Sequence, residues 1–323
     1  MFIRDRALAG SVTGLVPSGG RHQSCFFFAP RVATVGQPYD TVSFLSDFGT
    51  VDEFVGVVHS VIRERARHAT VIDLTHQIPR HDIRAGSLAL ARAIQYVASG
   101  VVLAIVDPGV GTDRRAVAVE VAGGEGVVLG PDNGLLGPAV ALAGGAERAV
   151  VLTNTDFHLP GPGATFAGRD VFAPVAAHLC NGVDLAELGE PIDPARLLPG
   201  IVPLPRDDGD GIAAEVLWVD HFGNVQLNVG PEDLAGWGDK VQLRWRDEVR
   251  SATMTTSYGA IGGGIGLVTD SYGLLAVALD RRSAADELSL GAGDGVHLVR
   301  LDDDAARSGA TRVSTPVAFP TTR

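Results

Sequence analysis

The sequence of 323 residues has few cysteines, no excess of positive charge and no long apolar run. Its two cysteines, Cys25 and Cys180, lie far apart and in no metal-like spacing, which predicts reduced thiols in a cytoplasmic protein. A net charge of -12 argues against binding to DNA or RNA, because such binding relies on Lys and Arg to neutralise phosphates. No apolar run approaches the roughly 18 residues that a membrane helix needs, so we expect no membrane segment.

Common nucleotide-binding and hydrolase motifs are also missing. The PGVGT stretch lacks the GK[ST] of a P-loop, and the GGGIGL stretch lies in strand-rich sequence with no helix after it. Neither GxSxG nor HExxH occurs. These absences argue against a triphosphate-binding enzyme and against a serine hydrolase.

Strand and helix patterns alternate from Thr41 onwards. The run TVSFLS precedes a loop and the helical pattern DEFVGVVHSVIRERARH, and the cycle repeats with ATVIDL, DIRAGSLALARAIQYVA and VVLAIV. Asp82 is the expected N-cap of the second helix. Strand patterns RAVAVEV, GVVLG and RAVVLTN follow, and GRDVFAPVAAHLCNG predicts a further helix. The alternation predicts a three-layer α/β domain with a largely parallel sheet.

The composition changes at residues 194–210, where four prolines and no helical period indicate a linker. Before it, an α/β domain is expected at 39–193. After it, short strands and glycine turns at 211–302 predict a smaller all-β domain that resembles a barrel. Residues 1–38 are expected to be a mobile extension and residues 303–323 a disordered tail.

Three predicted strands end in an aspartate, namely Asp47, Asp73 and Asp107. In open α/β sheets, ligands bind beyond the carboxyl ends of the strands. One such aspartate is more often a simple turn cap. Three together, two of them beside glycine-containing loops, predict a binding site.

The chain contains six motifs in the order SDFGTVDEFVG, VIDLTHQIPRHDIRAG, VDPGVGTDRRAVAVE, PDNG, TFAGRDVFAPVAAHL and DHFGNVQLN. Together they resemble the S-adenosylmethionine (SAM) hydroxide adenosyltransferase family, which is related to fluorinase and chlorinase. The resemblance spans roughly Thr41 to Leu301. It implies an enzyme that replaces the methionine of SAM with water at the ribose 5′ carbon and releases adenosine and methionine. It also implies a homotrimer with SAM bound between subunits, and no cofactor besides the substrate.

The resemblance assigns binding roles to individual residues. Asp47 matches the aspartate that binds both ribose hydroxyls. Asp52 and Asp220 match positions near the methionine amino group, and Ser271 matches a contact to the methionine end. Asn224 matches the residue whose amide recognises the adenine edge, so the β domain is expected to complete the adenine site.

Aromatic and histidine positions receive expectations of the same kind. Phe166 and Tyr258 are the expected aromatic walls of the base and ribose pocket, although an aromatic in a β-rich domain is more often a core residue. His81 matches a position where the halogenases have a tryptophan against the ligand, and here it either lines the pocket or faces solvent. The pair His76 and His81 lacks the i, i+4 spacing of a helical zinc site, so no metal is expected.

Asp107 and Arg114 are the expected catalytic residues. Water must lose a proton as it attacks, whereas a halide needs only to be desolvated, so only the water reaction needs a carboxylate. Halogenase relatives carry TYPATG where this chain has VDPGVG and a serine where it has Gly168, which favours hydroxide over halide. The competing interpretation of Arg114 is a surface arginine paired with Asp113 or Glu120.

Ala167 departs from the family pattern. Hydrolytic members have TFHGRD where this chain has TFAGRD, and their histidine belongs to a water-binding triad. Either Asp107 and Arg114 suffice, which we expect, or His158 or His221 substitutes, or the alanine was introduced deliberately, or the protein binds SAM with little or no turnover. A SAM-binding or sensing protein is therefore the second hypothesis, and a SAM-dependent halogenase is the third.

Overall fold

The computed structural model describes residues 39–301 of the chain. These residues form two sheets, one of seven and one of eight strands. The predicted extension at 1–38 and the predicted tail at 303–323 lie outside the described residues. Within 39–301, no helix is long and apolar enough to cross a membrane.

The first sheet forms the centre of the α/β half. Its strands are β1 (Thr41–Ser46), β2 (Thr70–Thr75), β3 (Gly100–Ile105), β4 (Ala116–Val121), β5 (Gly126–Pro131), β6 (Ala146–Val151) and β7 (Glu190–Ile192). They lie in the order β2-β1-β3-β5-β4-β6-β7. The four strands β2, β1, β3 and β5 pair in parallel, whereas β4, β6 and β7 pair antiparallel. The prediction of a parallel-rich α/β sheet is confirmed.

Helices cover both faces of this sheet. They are α1 (Phe54–Arg65), α2 (Ile83–Ala93), α3 (Gly137–Leu142) and α4 (Ala173–Cys180). The helices α1 and α4 pack in one buried apolar cluster, and α2 and α3 pack in another on the opposite face. Asp82 caps α2 as predicted, because its carboxylate accepts the Ala85 N–H at 2.8 Å. A π-helical turn at Gly168–Phe172 leads into α4.

The second sheet is a closed barrel. Its strands are β8 (Arg206–Asp207), β9 (Gly211–Val219), β10 (Val225–Leu227), β11 (Lys240–Trp245), β12 (Glu248–Thr255), β13 (Ile265–Thr269), β14 (Leu275–Ala278) and β15 (Gly295–Arg300), with a short helix α5 (Ala284–Leu288). The strand β10 pairs with both β14 and β9, and this closes seven strands into a barrel. The predicted barrel-like β domain is confirmed.

Two contacts join α2 to the barrel. Arg84 forms an ion pair with Glu215 of β9. The Arg92 guanidinium carbon lies 4.1 Å from the centre of the Trp218 ring and 5.8 Å from that of Tyr272. The helix that follows the loop at residues 76–81 is therefore held directly against the β domain.

The prediction that Asp73 ends its strand was wrong. The strand β2 continues for two residues to Thr75, so Asp73 lies within it. Its carboxylate oxygen Oδ1 lies 2.8 Å from Nε2 of His59 on α1. Asp73 therefore belongs to the contact between β2 and α1.

Candidate active site

A cavity of about 630 Å³ lies beyond the carboxyl ends of β1, β2 and β3. Its walls come from residues 47–54 after β1, 76–81 after β2, 105–110 at the end of β3, and 165–168 before α4. Parallel strands direct their following loops to one edge of the sheet, and this explains why the first three of these segments meet there.

Five residues predicted from the sequence line this cavity: Asp47, Asp52, His81, Asp107 and Phe166. Asp47 Oδ2 accepts the backbone N–H of His81 at 2.9 Å. His81 has a φ of 66°, in the left-handed region that non-glycine residues rarely adopt. His81 thus lines the cavity, and its backbone orients the carboxylate of Asp47.

Asp107 and Arg114 form a bidentate ion pair. The Arg114 Nε donates to Oδ1 at 2.9 Å and to Oδ2 at 2.8 Å, and its Nη2 also contacts Oδ2. Their side chains are only 5% and 16% exposed, with Asp107 the more buried. Glu120 pairs instead with Arg148, so the interpretation of Arg114 as a surface arginine was wrong. The guanidinium carbon of Arg114 also lies 5.5 Å from the centre of the Phe172 ring.

Ala167 lies where two cavities adjoin. It lines the main cavity and also a second one of about 420 Å³, whose walls include Arg114 and Asp170. Its backbone is helical, with a φ of -59° and a ψ of -25°, a conformation that any L-residue adopts. The position therefore has space for a larger side chain close to the Asp107–Arg114 pair.

An aromatic cluster forms one wall of the main cavity. The Phe166 ring centre lies 5.0 Å from that of Phe54 and 6.0 Å from that of Phe48, both in edge-to-face geometry. Phe48 and Phe54 also line the cavity, although the sequence did not single them out. The available signal was their place in the motif SDFGTVDEF, with Phe48 in the loop after β1 and Phe54 at the start of α1.

The four predicted residues of the β domain lie elsewhere, on loops of the barrel. Asp220 Oδ1 accepts the backbone N–H of Asn224 at 2.8 Å, and its Oδ2 accepts the Asn224 side-chain amide at 2.7 Å. Tyr258 lies near Asp220, since burial and then the charges of Asp220 and Asp270 raise its pKa. Ser271 follows Asp270 and is exposed. Within the described part of one chain, these four residues are not in the wall of the main cavity.

The two alternative bases are also separate from the cavity. Among residues 39–301, neither His158 nor His221 contributes to its walls. Burial lowers the pKa of His158, which favours its neutral form. His221 is exposed beside Phe222 on a barrel loop. Neither histidine replaces the family's histidine within one chain.

The fold and the cavity define an α/β protein with a site for a small molecule at the ends of its strands. The family pattern for the SAM hydroxide adenosyltransferase N-terminal domain matches residues 42–189, and that for the C-terminal domain matches residues 214–297. The chain belongs to the SAM hydroxide adenosyltransferase family.

Individual relatives agree with this assignment. A protein of Salinispora tropica named (R)-S-adenosyl-L-methionine hydrolase is 45% identical over 258 residues, which cover 80% of this chain and 97% of the relative. A protein of the same name from Thermus thermophilus is 41% identical over 271 residues, covering 80% of this chain and 99% of the relative. A fluorinase of Actinopolyspora mzabensis is 25% identical over 294 residues, covering 80% and 97%.

Solved structures have the same fold. An uncharacterised conserved protein from Thermotoga maritima aligns with a TM-score of 0.74 at 31% identity, covering 80% of this chain and 100% of that chain. A conserved hypothetical protein from Thermus thermophilus aligns with a TM-score of 0.62 at 36% identity, covering 80% and 99%.

Proposed function

We propose that this protein hydrolyses SAM at the ribose 5′ carbon and releases adenosine and L-methionine. Family membership and 45% identity to a protein named (R)-S-adenosyl-L-methionine hydrolase support the reaction. That name also favours the R configuration at the sulfonium as the preferred substrate. The proposal rests mainly on the position of the Asp107 carboxylate in the cavity wall. Both of its oxygens accept hydrogen bonds from Arg114.

The proposed reaction is an in-line displacement. The oxygen of water forms a bond to C5′ while the C5′–S bond breaks, and the electron pair of that bond leaves with sulfur as a neutral thioether. Asp107 orients the water and accepts its proton, which then passes to solvent. Arg114 stabilises the negative charge that develops on the water oxygen. Because a sulfonium is already an activated leaving group, positioning of the water supplies much of the acceleration.

Substrate binding by the α/β half rests on groups that face the cavity. Asp47 keeps acceptor positions for the two ribose hydroxyls, because the His81 N–H occupies only one of its lone pairs. Asp52 offers its negative charge to the methionine ammonium group. Phe166 provides an apolar wall, and stacking of a base on such a ring contributes about 1–3 kcal/mol in nucleic-acid binders.

The proposed assembly is a homotrimer in which the barrel loops of one subunit complete the cavity of its neighbour. This arrangement gives a role to Asp220, Asn224, Tyr258 and Ser271, which lie outside the cavity of their own chain. The Asn224 amide is held by Asp220 through one N–H, so its carbonyl oxygen and its other N–H are available for an adenine edge.

The proposed location is the cytoplasm. Burial raises the pKa of the Cys180 thiol to about 12, with a smaller effect from the charge of Asp40. Such a thiol stays protonated and unreactive, which suits a reducing compartment.

Incubation with SAM in oxygen-18 water tests the reaction. We expect one labelled oxygen at O5′ of adenosine, because the attacking atom comes from solvent. Mass spectrometry of the adenosine measures the label, and parallel incubations with the R and S sulfonium epimers measure the preference. SAM that stays intact while calorimetry detects its binding would support the SAM-binding hypothesis instead. A 5′-halogenated adenosine formed with added chloride or fluoride would support the halogenase.

Mixing two inactive variants tests the shared site. Asp107→Asn disables the α/β half of a site, and Asn224→Ala disables the barrel half. In randomly mixed trimers with sites between subunits, about one quarter of the sites combine two intact halves, so about one quarter of the wild-type activity should return. Activity is measured after the two variants are denatured and refolded together. The absence of any recovery, with each variant alone refolding to a trimer, would contradict a site shared between subunits.

A further inference from the structure

Three side chains with metal-binding donor atoms meet on the α1 side of the first sheet. They are His59 of α1, Asp73 of β2 and His76 just after β2, and one donor atom from each lies within 4.8 Å of the others. Asp73 Oδ1 is 2.8 Å from Nε2 of His59 and 3.0 Å from Nε2 of His76. The proposed hydrolysis does not use this cluster.

Packing against one buried ring orients both imidazoles. The His76 ring centre lies 4.6 Å from that of Phe44 and the His59 ring centre lies 6.2 Å from it. Phe44 is fully buried in β1, so it forms a fixed base for the two histidines. The convergence of the two Nε2 atoms therefore does not depend on the carboxylate alone.

The buried histidine has one ring nitrogen without a directed hydrogen bond. His76 is 6% exposed, and its Nδ1 lies 2.8 Å from the hydroxyl oxygen of Ser46. Its Nε2 is completely covered and has no well-directed hydrogen bond, although Asp73 Oδ1 is close to it. When Nδ1–H donates to Ser46, the lone pair lies on Nε2, which is the tautomer that a metal ion requires.

We propose that His59, Asp73 and His76 form a binding site for a divalent transition metal ion, with Zn²⁺ as the preferred ion. Two imidazole nitrogens and one carboxylate oxygen are a common zinc donor set, and water completes the tetrahedron. Ligand atoms around zinc are about 3.3 Å apart, so the 2.8 Å and 3.0 Å separations need to widen by only about 0.5 Å and 0.3 Å.

The ion has an access path and a structural consequence. The side chains of His59 and Asp73 are 35% and 42% exposed, so the site opens to solvent and the carboxylate is free to adjust. On the inner side, the carbonyl oxygen of His76 accepts the N–H of Gly49 at 2.8 Å. A bound ion would therefore join α1 and β2 through its ligands. The hydrogen bond between Gly49 and His76 extends this connection to the two loops that carry Asp47 and His81.

Zinc binding to the full chain tests this proposal. The protein is treated with EDTA, dialysed, and titrated with Zn²⁺ alone by calorimetry, without SAM. We expect one Zn²⁺ per chain and a higher unfolding temperature with the ion bound. His59→Gln and Asp73→Asn are each expected to weaken binding by at least about 10-fold, since each removes a direct ligand. Absorption spectroscopy at the zinc edge should count two imidazole ligands in the wild type and one in His59→Gln.

His297→Gln is the matched control. His297 lies near Asp208 and Asp210 in a second cluster of donor atoms, which is more exposed and has no buried member. Its loss is expected to leave zinc affinity and stoichiometry unchanged. The proposal is overturned if the wild type fails to bind Zn²⁺, if His59→Gln binds as tightly as the wild type, or if only His297→Gln loses the ion. Because the readout is metal binding, failure of the proposed hydrolysis would give a different result, namely zinc binding without adenosine.

Discussion

Asp107→Asn is expected to lower kcat for adenosine formation by about 10²–10⁴-fold, the usual range for general acid–base assistance. The substitution keeps the shape of the side chain but removes the negative charge that orients the water and accepts its proton. It also leaves Arg114, whose side chain is 16% exposed, without its anionic partner. Chromatography of adenosine gives kcat, and calorimetry with SAM gives the dissociation constant, which should change much less.

Asp113→Asn is the control for this experiment. Asp113 is exposed, precedes Arg114 directly, and loses the same charge when it is changed to asparagine. Its kcat should equal that of the wild type. Equal activity in Asp107→Asn and Asp113→Asn, with both variants folded by circular dichroism, would show that Asp107 is not the catalytic carboxylate.

Ala167→His is expected to raise kcat by about 10²-fold or more, because it adds a group that can bind water and take up its proton. The position adjoins two cavities, and its helical backbone accepts any side chain without strain. The added imidazole should also introduce a dependence of kcat on pH near about 6.5, the ordinary pKa of histidine. Activity should fall below that pH, since a protonated imidazole cannot accept the proton.

Ala167→Gln separates proton transfer from positioning. Glutamine fills a similar volume and forms hydrogen bonds but does not titrate. A gain in Ala167→His without a gain in Ala167→Gln supports proton transfer. Equal gains and a flat pH profile would mean that the new side chain only orients the water. If the wild type is as fast as Ala167→His, the expected gain is wrong, and Asp107 and Arg114 need no third group.

The fold was largely predictable because burial leaves an apolar pattern in the sequence of most elements. Strands such as β3, in which all six residues are buried, appear as continuous apolar runs. The sequence of β12 does not show such a pattern, because only Ala252 of its eight residues is buried. The predicted domain boundaries remain predictions, although the short strand β8 lies within the predicted linker.

The site was predictable where its residues are close in sequence or adjoin a strand end. Asp107 and Arg114 are seven residues apart and meet as expected. Asp73 was misassigned because its charge was interpreted as the end of the strand, whereas the apolar pattern continues to Leu74 and β2 ends at Thr75. The contacts of Asp73 with His59 and His76 were missed because they join a helix to an edge strand, and no sequence spacing reports that geometry.

The position of Arg92 against Trp218 and Tyr272 opposes separation of the α/β half from the barrel of the same chain. With the ion pair of Arg84 and Glu215, it ties α2 to the barrel at two points along the helix. A hinge between the two halves of one chain would have to break both contacts at once. Neither contact involves the cavity segments at residues 47–54 and 165–168, so these segments can move without separating the two halves of the chain.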